Sequence, residues 1–220
     1  MGLMFYELGL FTDFPLWYLM VALIFFTGIT NAYNFMDGIN GITGGYSLVV
    51  LGALYYINQT VTPFTDPSFL ITMILAVLVF NIFNFRVKAK CFAGDVGAVS
   101  IAFIILFFLG QLILKTGDLT YLILLVVYGV DSVLTIIHRL LLKENIFDSH
   151  RNQAYQRLGN EVDGKQPVVS LRYLAIQTVT LIGFFTVSEE IRWLYFGLTL
   201  LLLSLSYISF MKKYFKLHQQ

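Results

Sequence analysis

A chain of 220 residues that is 58% hydrophobic, only 12% charged and of net charge +1 lacks the polar surface needed to cover a water-soluble globule. Its mean hydropathy of +0.77 places it in lipid, and its apolar residues come in blocks too long for a soluble core. The near-neutral charge names no partner, and no nucleic-acid-binding module is present, so no nucleic-acid partner is expected.

In chain order, the apolar blocks predict about seven transmembrane helices, because a hydrocarbon layer of roughly 30 Å is crossed by about 20 residues rising 1.5 Å each. They are Pro15 to Tyr33, Ile42 to Ile57, Ser68 to Phe85, Ala98 to Leu114, Leu119 to His138, Val168 to Val187 and Ile191 to Phe210. The second is short and opens on Gly44-Gly45, which suggests a tilt or a start in irregular backbone covered by protein. No Lys or Arg precedes Pro15, so a cleaved signal peptide is not expected and the first span reads as permanent.

Orientation follows from basic residues near span ends, which are retained in the cytoplasm. Arg86, Lys88 and Lys90 fill one connection, while Arg139, Lys143, Arg151, Arg157 and Lys165 fill another. Lys212, Lys213 and Lys216 form the tail, and the alternate connections hold only Lys115 and Arg192. The fold class is therefore an all-α polytopic membrane bundle, one membrane domain over 1–220. Its N-terminus lies outside, its C-terminus in the cytoplasm, and a long cytoplasmic loop covers 139–167. The single Cys91 falls on the reducing side and excludes an intramolecular disulfide.

Three segments on the cytoplasmic side carry polar chemistry. At the end of the first span, Asn31, Asn34, Asp37 and Asn40 recur every third residue, and a helix continued through them would line one face with amides and one carboxylate. Such a column suits a sugar, a uracil edge or a metal-held phosphate; the plainer reading is a solvated helix end capped by Gly38 and Gly41. In Gly94-Asp95-Val96-Gly97, two glycines frame a carboxylate at a helix start, where backbone can approach a phosphate with Mg²⁺. Taken alone, a capping Asp in a turn looks the same. In the long loop, His150, Arg151 and Arg157 could clamp a pyrophosphate, or be basic through topology only. Asp131, well inside the fifth span, must face the bundle interior, and it reads as structural, with Ser132, Thr135 or His138 as partners.

Together, Asn31 to Gly41, Gly94 to Ala98, Asp131, and Asp148 to Leu158 with its Asp-Ser-His-Arg and Tyr-Gln-Arg-Leu runs resemble the glycosyltransferase 4 family. These are polyprenyl-phosphate N-acetylhexosamine-1-phosphate transferases of the bacterial inner membrane. The resemblance implies that the phosphate of a polyprenyl carrier, typically undecaprenyl phosphate, attacks a UDP-N-acetylhexosamine such as UDP-GlcNAc. This releases UMP at the cytoplasmic face, in the first membrane step of an envelope polysaccharide. It implies Mg²⁺, with Mn²⁺ as a substitute, held by Asp95 and Asp37 as metal-binding and catalytic residues. Asn31, Asn34, Asn40, His150 and Arg151 would contact substrate, and homodimerisation is left open. Two departures stand out. The family's earlier Asp-Asp-x-x-Asp motif has no counterpart, since only Glu7 and Asp13 precede Asn31, so the chain reads as the C-terminal two-thirds of a transferase, with little or no activity expected of it alone. Gln153 stands where relatives place a histidine. The competing class is a non-catalytic membrane protein, an assembly partner or a transporter.

Overall fold

The computed structural model describes residues 2–9, 15–141 and 166–215. A short helix, α1 (Gly2–Glu7), precedes α2 (Leu16–Met36), α3 (Ile42–Thr60), α4 (Pro67–Asn84) and α5 (Gly94–Thr116). A 3-10 segment (Leu119–Leu125) runs into α6 (Val126–Leu141). Then come α7 (Gln166–Thr186), a single 3-10 turn (Glu189–Ile191) and α8 (Arg192–Phe215). No strand occurs among the described residues.

The bundle exposes apolar side chains and buries an apolar core that also takes in polar groups, as lipid as solvent requires. Ile24 is 71% exposed and Val179 68%, whereas Ser47 and Gln177 are fully buried. Six helices are long and apolar enough to cross a membrane: α2, α4, α5, the Leu119–His138 helix, α7 and α8. The seventh expected span, α3, is the bundle's centre. Twelve of its nineteen residues are buried, against α4, α7, α5 and α2, whereas the α8 span is only 6% buried. Protein rather than lipid surrounds α3, so it can carry Thr43, Ser47 and Asn58 where an outer helix needs Leu or Ile.

The expectation of irregular backbone at Gly44-Gly45 needs correction. The helix is regular from Ile42 onward. A Cβ on Gly44 would meet Asn81 and Phe80 of α4, and one on Gly45 would meet Leu174 of α7. The glycines permit close helix packing rather than a break. The irregularity lies instead at the 3-10 segment, where the turn type changes at Leu125–Val126. Gln177 of α7 braces this change: its Nε2 donates to the Ile123 carbonyl (2.9 Å) and the Leu124 carbonyl (3.2 Å), and its Oε1 accepts from the Tyr46 hydroxyl (2.9 Å) and the Val127 N–H (3.4 Å).

Consecutive long helices run antiparallel, so the end of α2, the starts of α3, α5 and α7 and the end of α4 meet at one end of the bundle. Asp131 is buried near this half, where its Oδ2 accepts from the Tyr173 hydroxyl at 2.8 Å. Thr135, one turn on, lies 3.4 Å from Asp131 Oδ1 and 2.8 Å from the Tyr207 hydroxyl, so α6, α7 and α8 are joined through one carboxylate.

Candidate functional site

The amide column does not continue as a helix. α2 ends at Met36, and Asp37 caps it with φ −80° and ψ 56°, its N–H directed to the Asn34 carbonyl at 3.3 Å. Asn31, exposed, and Asn34, half-buried, remain one turn apart on α2. Neither side chain has a hydrogen bond among the described residues. Asn40 is turned inward and buried: its Nδ2 donates to the carbonyls of Arg86 (2.9 Å) and Val87 (3.2 Å), and its own carbonyl accepts from the Ser170 hydroxyl at 2.7 Å. The turn that redirects the chain ends at Gly41, at φ +84°, where a Cβ would collide with the Phe85 ring. Only glycine fits both the backbone and the space.

That turn brings two carboxylates together from positions far apart in sequence. Asp37 Oδ1 accepts from the Thr43 hydroxyl at 2.7 Å, and the backbone of Gly94 lies close enough to act on the carboxylate. Asp95, exposed in the first turn of α5, is close enough for its charge to act on Asp37. Burial first, and the Asp95 charge in addition, raise the Asp37 carboxyl above the ordinary carboxylate range against the opposing pull of Thr43 and Gly94. Arg86, Lys88 and Lys90 lie exposed on the adjoining connection, and none forms an ion pair with either acid among the described residues.

Two neighbouring acids without a paired cation among the described residues are a site that a cation would relieve. Among the described residues no cluster of three or more His, Cys, Asp or Glu could form a closed cage. The donor set therefore fits a hard divalent ion that keeps waters and takes its remaining oxygens from phosphate. His150, Arg151 and Gln153 lie outside the described residues.

Asn84 escaped the sequence reading. Buried at the end of α4, it accepts the Gly41 N–H on Oδ1 (2.7 Å) and donates from Nδ2 to the Cys91 carbonyl (2.8 Å). Asn81 and Asn84 repeat at the end of an apolar span the three-residue amide spacing of Asn31 and Asn34, and that was the available signal.

Residues 2–113, 112 of the chain's 220, match the family model for glycosyl transferase family 4, and this stretch contains Asp37, Asn84 and Asp95. The chain belongs to glycosyl transferase family 4. Among its relatives is the phospho-N-acetylmuramoyl-pentapeptide-transferase of Lactiplantibacillus plantarum, 29% identical over 39% of this chain and 26% of the relative. The enzyme of the same name from Thermotoga neapolitana is 31% identical over 63% of this chain and 45% of the relative. A Saccharolobus solfataricus protein, provisionally named as a UDP-N-acetylglucosamine–dolichyl-phosphate N-acetylglucosaminephosphotransferase, is 35% identical over 48% of this chain and 31% of its own length. This family 4 chain thus spans less than half the length of each of these relatives.

Proposed function

We propose that the Asp37 and Asp95 end of the bundle binds a UDP-N-acetylhexosamine with a divalent cation and serves transfer of its hexosamine 1-phosphate to a membrane polyprenyl phosphate, releasing UMP at the cytoplasmic face. The observation that carries this is the meeting of the two acids, one from the end of α2 and one from the start of α5, inside the stretch that matches a family of transferases. Bound there, Mg²⁺ would supply charge neutralisation for the pyrophosphate, with Asp95 and Asp37 as its protein oxygens.

The chain's own residues supply the rest. Asn31 and Asn34 present unspent amides beside the acids, suited to sugar hydroxyls or a uracil edge. Arg86, Lys88 and Lys90 give the rim a positive charge that attracts phosphate, and their loop sets the cytoplasmic side by the retention of basic residues. Lipid-facing helices surround the site, so a prenyl tail can stay in hydrocarbon while its phosphate reaches water. The lone Asp95 carboxylate, exposed and at a helix start, is free to hold the ion, whereas Asp37 is held by the Thr43 hydroxyl and orients it.

Isothermal titration of the detergent-solubilised chain with UDP-GlcNAc in Mg²⁺ buffer is expected to show saturable binding, strongly reduced by EDTA and lost in Asp95→Asn. UMP appearance on adding undecaprenyl phosphate measures transfer itself. Absence of binding by the wild-type chain, or binding untouched by both Asp37→Asn and Asp95→Asn, would remove the proposal.

A further inference from the structure

We infer that Asn84 is a positioning residue for the cation site: it sets the separation of Asp37 and Asp95 by tying the turn that carries the first to the connection that carries the second. This rests on the divalent-cation reading of those two acids.

A chain of hydrogen bonds leads from Asp37 to the connection before Asp95. Asp37 is held by the Thr43 hydroxyl (2.7 Å), Thr43 belongs to the first turn of α3, and that turn starts at Gly41. The Gly41 N–H is bound by Asn84 Oδ1 at 2.7 Å, and the other end of the same amide, Nδ2, holds the Cys91 carbonyl at 2.8 Å. Three residues later comes Gly94, whose backbone lies beside Asp37, and Asp95 follows. Between Cys91 and Gly94, Phe92 is 73% exposed, and neither Phe92 nor Ala93 bonds outside α5 among the described residues. The Asn84 amide is therefore the last side-chain tether before the Asp95 turn. It bonds both sides at once, because an amide carries a donor and an acceptor on one rigid plane. Asn40 stitches the same two segments further back, at Arg86 and Val87, and leaves the Cys91 end to Asn84.

Mn²⁺ titration of the solubilised chain, followed by electron paramagnetic resonance, tests this without turnover. Asn84→Ala is expected to weaken Mn²⁺ binding by about tenfold, the lower end of what lost outer-shell partners cost a metal site. Asn84→Asp keeps the acceptor for Gly41 and loses the donor to Cys91. It too is expected to weaken binding, although a new acid nearby would tighten it if charge were all that mattered. Asn58→Ala is the control for general loosening: Asn58 ties Phe64 and Thr65 at the opposite end of α3, and its loss is expected to lower Tm while leaving Mn²⁺ affinity unchanged. Wild-type affinity in Asn84→Ala, tighter binding in Asn84→Asp, equal weakening in Asn58→Ala, or wild-type Mn²⁺ binding indifferent to Asp37 and Asp95 would each overturn the inference. Mn²⁺ binding that behaves as expected in a chain that takes up no UDP-GlcNAc would instead remove the transferase reading and leave Asn84 in its role.

Discussion

The two ends of the bundle treat their carboxylates in opposite ways. At the far end, Asp118 and Glu189 converge on Arg192, at 3.5 and 3.4 Å, and the guanidinium also lies over the rings of Tyr121 and Phe184, with centroids at 5.9 and 5.2 Å. Charge is matched there, and the ion cluster closes the connections between α5, the 3-10 segment and α8. At the near end, Asp37 lies within reach of the Asp95 charge, with no such cation among the described residues. Acids that the fold has neutralised are fastenings, while acids held together and left uncompensated are placed to bind something. The family match over residues 2–113 includes Asp37 and Asp95 and leaves Asp118, Glu189 and Arg192 outside.

The largest expected effect is on that distinction itself. In membranes where the chain supports UMP release, Asp95→Asn should reduce it by at least on the order of a hundredfold, as loss of a group aimed at developing charge does, and leave Tm unchanged. Asp37→Asn should act likewise, and its Tm should hold or rise because a strained buried charge is removed. A variant at either position that unfolds while the residual folded fraction works normally would reverse the assignment. Next in size is Gly41→Ala, in which left-handed backbone and the Phe85 contact together should cost roughly 2–4 kcal/mol by thermal unfolding. Because Gly41 sits inside the chain of hydrogen bonds from Asp37, Mn²⁺ affinity should fall too. Smaller is Arg192→Ala, expected to cost about 1–2 kcal/mol through lost ion pairs and ring contacts, with UDP-GlcNAc binding intact. A far-end variant that abolishes binding would erase the contrast between the ends.

What could be read from the amino acids divides along the same physical lines. Apolar blocks of membrane length marked the spans because lipid imposes its pattern locally. Asp37 and Asp95 were conspicuous for the same reason, as acids beside glycine at span ends. The central place of α3 was less legible: its shortness and glycine pair suggested a tilt or a break, when they, with Thr43 and Ser47, are what a helix wrapped by other helices can carry. Asn40 looked like a fourth rung of a ladder, and only the turn at Gly41 reveals that its amide is spent on Arg86 and Val87. Asn84 and Gln177 were invisible as partners because each bonds groups more than forty residues away, Gly41 and Ile123 among them. Long-range pairing of that kind leaves no periodicity in one sequence.

The smallest effect is the dependence of stability on pH, and here the ends should slope in opposite directions. The Asp37 carboxyl is raised by burial and by Asp95, so the folded chain binds that proton more tightly than the unfolded chain does. Its contribution is full below the unfolded carboxylate value and is lost as pH rises through that value to the raised one. Asp66, at the far end, is lowered by the hydroxyl and then the N–H of Ser68, so its contribution is present above the unfolded value and is lost as pH falls below it. In EDTA, Tm followed by scanning fluorimetry should therefore contain a declining limb on the alkaline side of the carboxylate range that Asp37→Asn flattens. It should also contain a fainter acid-side loss that Asp66→Asn flattens. Adding Mg²⁺ should offset only the first, because an ion that binds the charged form of Asp37 competes with its proton and has no such hold on Asp66. If Mg²⁺ shifts both limbs or neither, the carboxylates at the two ends are not different in kind.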